Sequence, residues 1–288
     1  MHKLGLGCVT FGREIDQKTS FSLMDHAFAN GINSFDTAAV YGGGASEEII
    51  GKWLADDPSK CQQIKVATKI VPPFDSKSII SNVEQSLQRL QIEQIDRLYF
   101  HRWDDILDQE ESWLAMEQLV ADGKVKEIGA SNFSGKQLLA AVQLLLYISP
   151  LRLGAVQNNH NLAVSDLSSE LVQCCRQNHI KIITFSPLGA GFLTGKHRSG
   201  IQSGSRFDLM PAHQEIYFNE KSSQSLERLL TISASTGLEP AFLALAWAIH
   251  QPHTDQVLVG GRSTEQLDQA IHATRFSDME LISTLAEI

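Results

Sequence analysis

Eight short runs rich in Val, Ile and Phe, set apart by stretches of helical period, constrain this chain more than any other feature. They are LGLGCVT (4–10), INSFDTA (32–38), KVATKI (65–70), IDRLYFH (95–101), VKEIGAS (125–131), GAVQNNH (154–160), KIITFSP (181–187) and DQVLVGG (255–261). Apolar runs alternating with helices are the signature of βα units around a parallel sheet. Eight units predict closure into an α/β fold of the (β/α)8 TIM barrel type, and a length of 288 residues suits a single domain over 1–288. Neither a linker nor an internal repeat marks a second domain.

The intervening segments behave as helices. SIISNVEQSLQRL puts Ile79, Ile80, Val83, Leu87 and Leu90 on one face. LAMEQLVADGK stops at Gly123, suited to a left-handed cap, and Pro240 lies in the first turn of EPAFLALAWAIHQ, where a missing N–H is harmless. The long stretch 189–219 has no period and is rich in glycine, so it reads as an irregular loop. Following the seventh strand, it belongs to the carboxyl-end face where a barrel gathers its functional loops.

A net charge of −9 with no run of Lys or Arg argues against nucleic acid as a partner. Cys8, Cys61, Cys174 and Cys175 show no CxxC spacing, so reduced thiols and no metal are expected. No apolar leader with a cleavage site and no apolar run of about eighteen residues is found, which makes a cytoplasmic protein with no membrane segment the expectation.

Residues at the carboxyl ends of barrel strands converge on one mouth whatever their separation in sequence. Those ends supply Asp36, Tyr41, Lys69, His101, Ser131, Asn132, Gln157 and Ser186. Each alone has an ordinary explanation: a satisfied histidine, a solvated lysine, a capping aspartate. Together they are harder to dismiss, because a buried Lys–Asp pair is costly without a purpose. A lysine cation beside a phenol stabilises phenolate and lowers its pKa, which would make Tyr41 a usable acid.

NSFDTAAVYGGGASEEIIGKWL, LYFHRWDD, GKVKEIGASNFS, ITFSPLGAGFLTGK and VGGRSTEQL follow one another along nearly the whole chain. In this order they resemble the successive motifs of the aldo-keto reductase family. The resemblance implies a catalytic tetrad of Asp36, Tyr41, Lys69 and His101, with hydride from a reduced nicotinamide and a proton from Tyr41. Lys69, held by Asp36, would tune the phenol, while His101 would orient a small-molecule carbonyl substrate. No obligate protein partner is expected.

GLGCVTFG and GAGFLTG both miss the spacing of a dinucleotide-binding GxGxxG fingerprint. The resemblance instead places NADPH (NADP) across the mouth, its carboxamide on Ser131, Asn132 and Gln157 and its ring on Phe185. Ser186 and the backbone amides of Leu188, Gly189 and Gly191 would wrap the pyrophosphate. Arg262 and Ser263, at the start of a helix, would favour a 2′-phosphate. Gln266 would hold adenine alone, since Ala270 stands where the family commonly has Asn.

Many relatives also begin with a hairpin plugging the barrel bottom, whereas the first strand here starts almost at Met1, leaving open what closes that end. His160 replaces a common Tyr. Substrate choice is assigned to loops 11–17, 41–46, 102–109 and 189–219, with Trp103, Phe11, Phe207 and Tyr217 as candidate apolar walls or core residues. The short segment after Arg275 favours an open site and bulky or sugar-like substrates. Two other functions fit: an NAD(P)-dependent sugar or polyol dehydrogenase, and a nicotinamide-binding, redox-sensing regulatory subunit with little turnover.

Overall fold

All eight apolar runs form strands, and the strands close on themselves. A computed structural model describes residues 3–286. The strands are β1 (Leu4–Gly7), β2 (Ser34–Asp36), β3 (Lys65–Ile70), β4 (Ile95–Phe100), β5 (Val125–Ser131), β6 (Leu153–Asn159), β7 (Lys181–Phe185) and β8 (Gln256–Val259). Each pairs in parallel with its sequence neighbour and β1 pairs with β8, giving a closed barrel in the order β1 to β8.

The helices are α1 (Gln17–Ala29), α2 (Ala45–Ala55), α3 (Pro58–Gln63), α4 (Ser76–Leu90), α5 (Glu110–Ala121), α6 (Gly135–Ile148) and α7 (Ser169–Gln177). They continue with α8 (Arg206–Leu209), α9 (Ala212–Tyr217), α10 (Glu220–Thr236), α11 (Pro240–Ile249), α12 (Thr264–Ala273) and α13 (Met279–Ala286). Side-chain oxygens of Asp16, Asp75, Ser134 and Ser168 cap α1, α4, α6 and α7, so the chain marks where these helices begin.

The stretch 189–219 is not the irregular loop that its composition suggests. It holds a 3-10 segment, Gly189–Thr194, followed by α8 and α9. Helices of four to six residues are too short to display a period, which is why the pattern hides them. No single helix among the described residues is long and apolar enough to cross a membrane.

Strand parity sorts the side chains into two cores. Outward residues such as Phe35 and Phe100 pack on helix residues, with Phe35 5.4 Å from Trp53 and Phe100 5.0 Å from Trp113 between ring centroids. Inward residues Ala67, Tyr99, Ala155, Ile183 and Leu258 form a separate cluster on which Phe185 packs. At the amino ends of the strands, Arg97 on β4 and Glu127 on β5 form an ion pair, with Nε 2.7 Å from Oε2. Tyr99, wholly buried, accepts from Arg97 at 3.4 Å. Ser34 bonds Gln256 across the β1 strand at 3.4 Å. Side chains of the barrel itself therefore pack across its amino end.

Candidate active site

The carboxyl end of the barrel brings the four expected catalytic residues together. Asp36 ends β2, Lys69 lies on β3, His101 follows β4, and Tyr41 opens a 3-10 turn, Tyr41–Gly44, between β2 and α2. Gly42, Gly43 and Gly44 have φ of 59°, 66° and 102°, the left-handed region in which glycine is unstrained. The three-glycine turn thus joins Tyr41 to the start of α2 four residues later.

Lys69 is 1% exposed, and an ammonium has three protons to place. One goes to Asp36 Oδ1, one to the carbonyl of Thr37 at 2.8 Å, and the third points to the Tyr41 oxygen at 3.5 Å. The other oxygen of Asp36 accepts from Gln157 Nε2 at 2.7 Å. Burial alone would lower the Lys69 pKa, but Asp36 together with the Tyr41 and Tyr99 phenols outweighs it, and the ammonium is held charged well above its ordinary range.

Tyr41 departs from expectation. Burial raises the phenol pKa, and the opposing pull of Lys69 does not cancel that rise. The phenol is therefore protonated throughout the neutral range, and Lys69 limits the cost of losing the proton without removing it beforehand. The His101 ring meets the Tyr41 ring edge to face at 5.8 Å between centroids. Burial, then Lys69 and Arg102, push its pKa down to about 4, so the imidazole is neutral at neutral pH.

The expected cofactor residues form a second group beside these. Asn132 Nδ2 donates to the His101 carbonyl at 2.8 Å and to Ser131 Oγ at 3.1 Å, while Ser131 Oγ donates to the Gln157 carbonyl at 3.0 Å. Both amide protons of Asn132 and one of Gln157 are thus committed, while Asn132 Oδ1 and Gln157 Oε1 offer acceptors for a carboxamide N–H. Phe185 is half-buried at the end of β7 and offers a ring face.

After Phe185 the backbone turns left-handed at Ser186, Gly189, Ala190 and Gly191, with φ of 55°, 57°, 57° and 95°. The N–H of Gly189 donates to Ser186 O at 2.8 Å and that of Gly191 to Leu188 O at 3.0 Å. Those two amides shape the turn and are not free to bind an anion, contrary to expectation.

Lys196, which the sequence motifs did not single out, supplies charge at this turn instead. A Cβ on Gly191 would fall 3.3 Å from its Cε and 3.4 Å from its Nζ. Burial and the neighbouring Arg262 both lower the Lys196 pKa, so the two cations share one region. Arg262 is exposed and donates to the Gly204 carbonyl at 2.9 Å. Ser263 is the N-cap residue of α12 without a side-chain bond to the helix backbone, and Gln266 Oε1 accepts from the Arg262 N–H at 2.8 Å. The Gln266 amide nitrogen remains as a donor for adenine.

Glu14, 1% exposed in its side chain, accepts from Arg13 at 2.7 Å and from Arg206 at 2.9 Å, tying the loop after β1 to the segment after β7. Among the candidate apolar walls, Phe11, Phe207 and Tyr217 are buried in the outer core and cannot face a substrate. Trp103 is half-buried, stacked edge-on against Phe133 at 5.1 Å.

Carboxylate, ammonium, phenol and neutral imidazole thus lie together at the mouth, an arrangement able to give up a proton from the phenol. The acceptor amides, the aromatic face and the paired cations beside it suit the carboxamide, ring and phosphates of a nicotinamide dinucleotide.

The chain also matches known proteins over nearly its whole length. The profile of the Aldo/keto reductase family matches residues 3–286. An uncharacterized oxidoreductase of Bacillus subtilis, YrpG, is 32% identical over 99% of this chain and 91% of its own length. A protein of Glycine max named probable aldo-keto reductase 1 is 33% identical over 94% of this chain and 80% of its own. An Arabidopsis thaliana protein named as a probable voltage-gated potassium channel subunit beta is 30% identical over 92% of this chain and 84% of its own.

Proposed function

Because the chain belongs to the aldo/keto reductase family, we propose that it reduces aldehydes or ketones to alcohols with NADPH, using Tyr41 as the proton donor. The observation that carries this reading is the placement of the three Lys69 protons. Two are fixed on Asp36 and Thr37, and the third is directed at the Tyr41 oxygen. The phenol oxygen thus accepts from Lys69, and its own O–H is left to donate towards the mouth, where His101 stands.

Asn132 and Gln157 would hold the carboxamide, Phe185 the ring, and Lys196, Arg262 and Ser263 the phosphates. Bound there, reduced nicotinamide supplies hydride to a carbonyl carbon. Neutral His101 can donate a ring N–H to the carbonyl oxygen and so orient it without competing as the acid. As negative charge grows on that oxygen, Tyr41 gives up its proton and Lys69 stabilises the phenolate left behind. Asp36 keeps Lys69 charged, and Gln157 keeps Asp36 oriented. In the oxidising direction the same phenol must first be ionised, so alcohol oxidation should climb with pH across the neutral range while reduction holds level.

NADPH consumption against short aldehydes, aromatic aldehydes, diketones and aldoses, with NADH in parallel, tests the reading. Tyr41→Phe is expected to lower reduction by about 10²–10⁴-fold while coenzyme affinity stays within about twofold. Undiminished turnover in that variant would remove Tyr41 from the chemistry. The Arabidopsis relative named as a channel subunit favours a second reading, a nicotinamide-binding regulatory subunit with little turnover. Wild-type protein that binds NADPH yet consumes none of it across the panel would support that alternative.

A further inference from the structure

Directly behind the glycine turn lies a buried carboxylate that the chemistry above leaves unused. Glu47, in the first turn of α2, is 0% exposed. Its Oε1 accepts from Thr68 Oγ1 at 2.6 Å and its Oε2 from Arg89 Nε at 2.7 Å. Thr68 immediately precedes Lys69 on β3, and Arg89 sits in the last turn of α4. The stem of Arg89 runs against the glycine turn: a Cβ on Gly44 would fall 3.0 Å from Arg89 Cδ and 3.2 Å from its Nε.

The neighbouring Ser46 extends the brace. Its hydroxyl donates to the Cys8 carbonyl at 2.9 Å and meets Thr37 Oγ1 at 2.8 Å. Thr37 is also the residue whose carbonyl holds Lys69. The first turn of α2 is therefore bonded to the residue after β1, to the residue after β2 and to β3 at once. Three successive glycines cannot by themselves fix the phenol, since each populates many conformations and packs nothing. The separation to be fixed is the 3.5 Å between Lys69 Nζ and the Tyr41 oxygen, at the outer limit of a hydrogen bond.

We propose that Glu47 and Arg89 are positioning residues for the Tyr41–Lys69 pair: their buried ion pair clamps the glycine turn from behind and locks it to the strand that carries Lys69. This rests on the reading of Tyr41 as the proton donor. Slackening the brace lets the phenol drift from the ammonium, and a misplacement of about 1 Å can cost roughly a hundredfold in rate.

The sign of one shift separates positioning from plain electrostatics. Glu47→Gln removes a negative charge and leaves Arg89 unopposed, so through space alone the Tyr41 phenol would ionise more easily. Displacement from Lys69 makes it ionise less easily. Ultraviolet difference titration against Tyr41→Phe reads this without substrate or coenzyme.

In Glu47→Gln, Tyr41 ionisation should move up by about half to one pH unit, and kcat should fall about tenfold with KM and coenzyme affinity within about twofold. Arg89→Lys should recover most of the turnover that Arg89→Met loses. A lower melting temperature with unchanged kcat and unchanged or easier Tyr41 ionisation would reduce Glu47 to scaffolding. If Glu47→Gln does not fold, the Arg89 pair, whose side chain is 23% exposed, decides on the same readings. Full turnover in Tyr41→Phe would sink the proton-donor reading itself, whereas loss of turnover there beside an unaffected Glu47→Gln would sink only the brace.

Discussion

Gln157 is the residue at which the two halves of the site meet. One proton of its amide nitrogen is held by Asp36, which orients the side chain and leaves its oxygen to accept from a carboxamide N–H. Gln157→Leu strips Asp36 Oδ2 of its partner in a position 4% exposed. The loss should destabilise the fold by about 1–3 kcal/mol, read as a lower denaturation midpoint. Coenzyme affinity should weaken about five- to tenfold in the same variant, measured by nucleotide fluorescence. Asp36, Tyr41, Lys69 and His101 can be picked out in the chain because each lies at or just beyond the carboxyl end of a recognisable strand. Neither the Gln157–Asp36 contact, across 121 residues, nor the part played by Lys196 can be read there, since both depend on how the barrel curls.

At the scale of elements, the inner cluster depends on glycines as much as on side chains. A Cβ on Gly129 of β5 would fall 2.5 Å from Tyr99 Cε1 and 2.8 Å from the Ala155 carbonyl. Tyr99 is wholly buried and lies with its ring 6.0 Å from Lys69 Nζ, so it has little room to retreat. Gly129→Ala should cost about 1–3 kcal/mol in urea unfolding and reduce turnover with it. All eight strands announce themselves through composition and spacing, and so do the long helices. The Arg97–Glu127 pair does not, because its members are 30 residues apart and meet only through the parallel register that sets Arg97 beside Glu127. The short helices α8 and α9 are equally hidden, being briefer than the period that would reveal them.

For the molecule as a whole, acid is the expected weakness. Burial holds His101 and His160 neutral, each with a pKa of about 4 against an ordinary value near 6.5. Between those two values the unfolded chain binds protons that the folded one refuses. Stability should therefore fall as pH drops from about 6.5 to about 4, by on the order of 1–3 kcal/mol for each histidine, and level off for these groups below that. Urea midpoints measured at intervals over this range give the slope, and His160→Asn should flatten it. An unchanged slope would show that His160 titrates normally.

The sheet has one further property at this scale. Its hydrogen-bond ladder runs from β1 round to β8 and back to β1. A sheet without ends exposes no row of unpaired N–H and C=O groups that a second polypeptide could extend. Among the described residues, recruitment by adding a strand to the barrel, which needs only a bare margin and little regard for sequence, is closed. Any companion, including another copy of itself, must read helix faces and loop tips. Sociability in this fold is thus written in surface side chains, where single substitutions can grant or revoke it without disturbing the mouth.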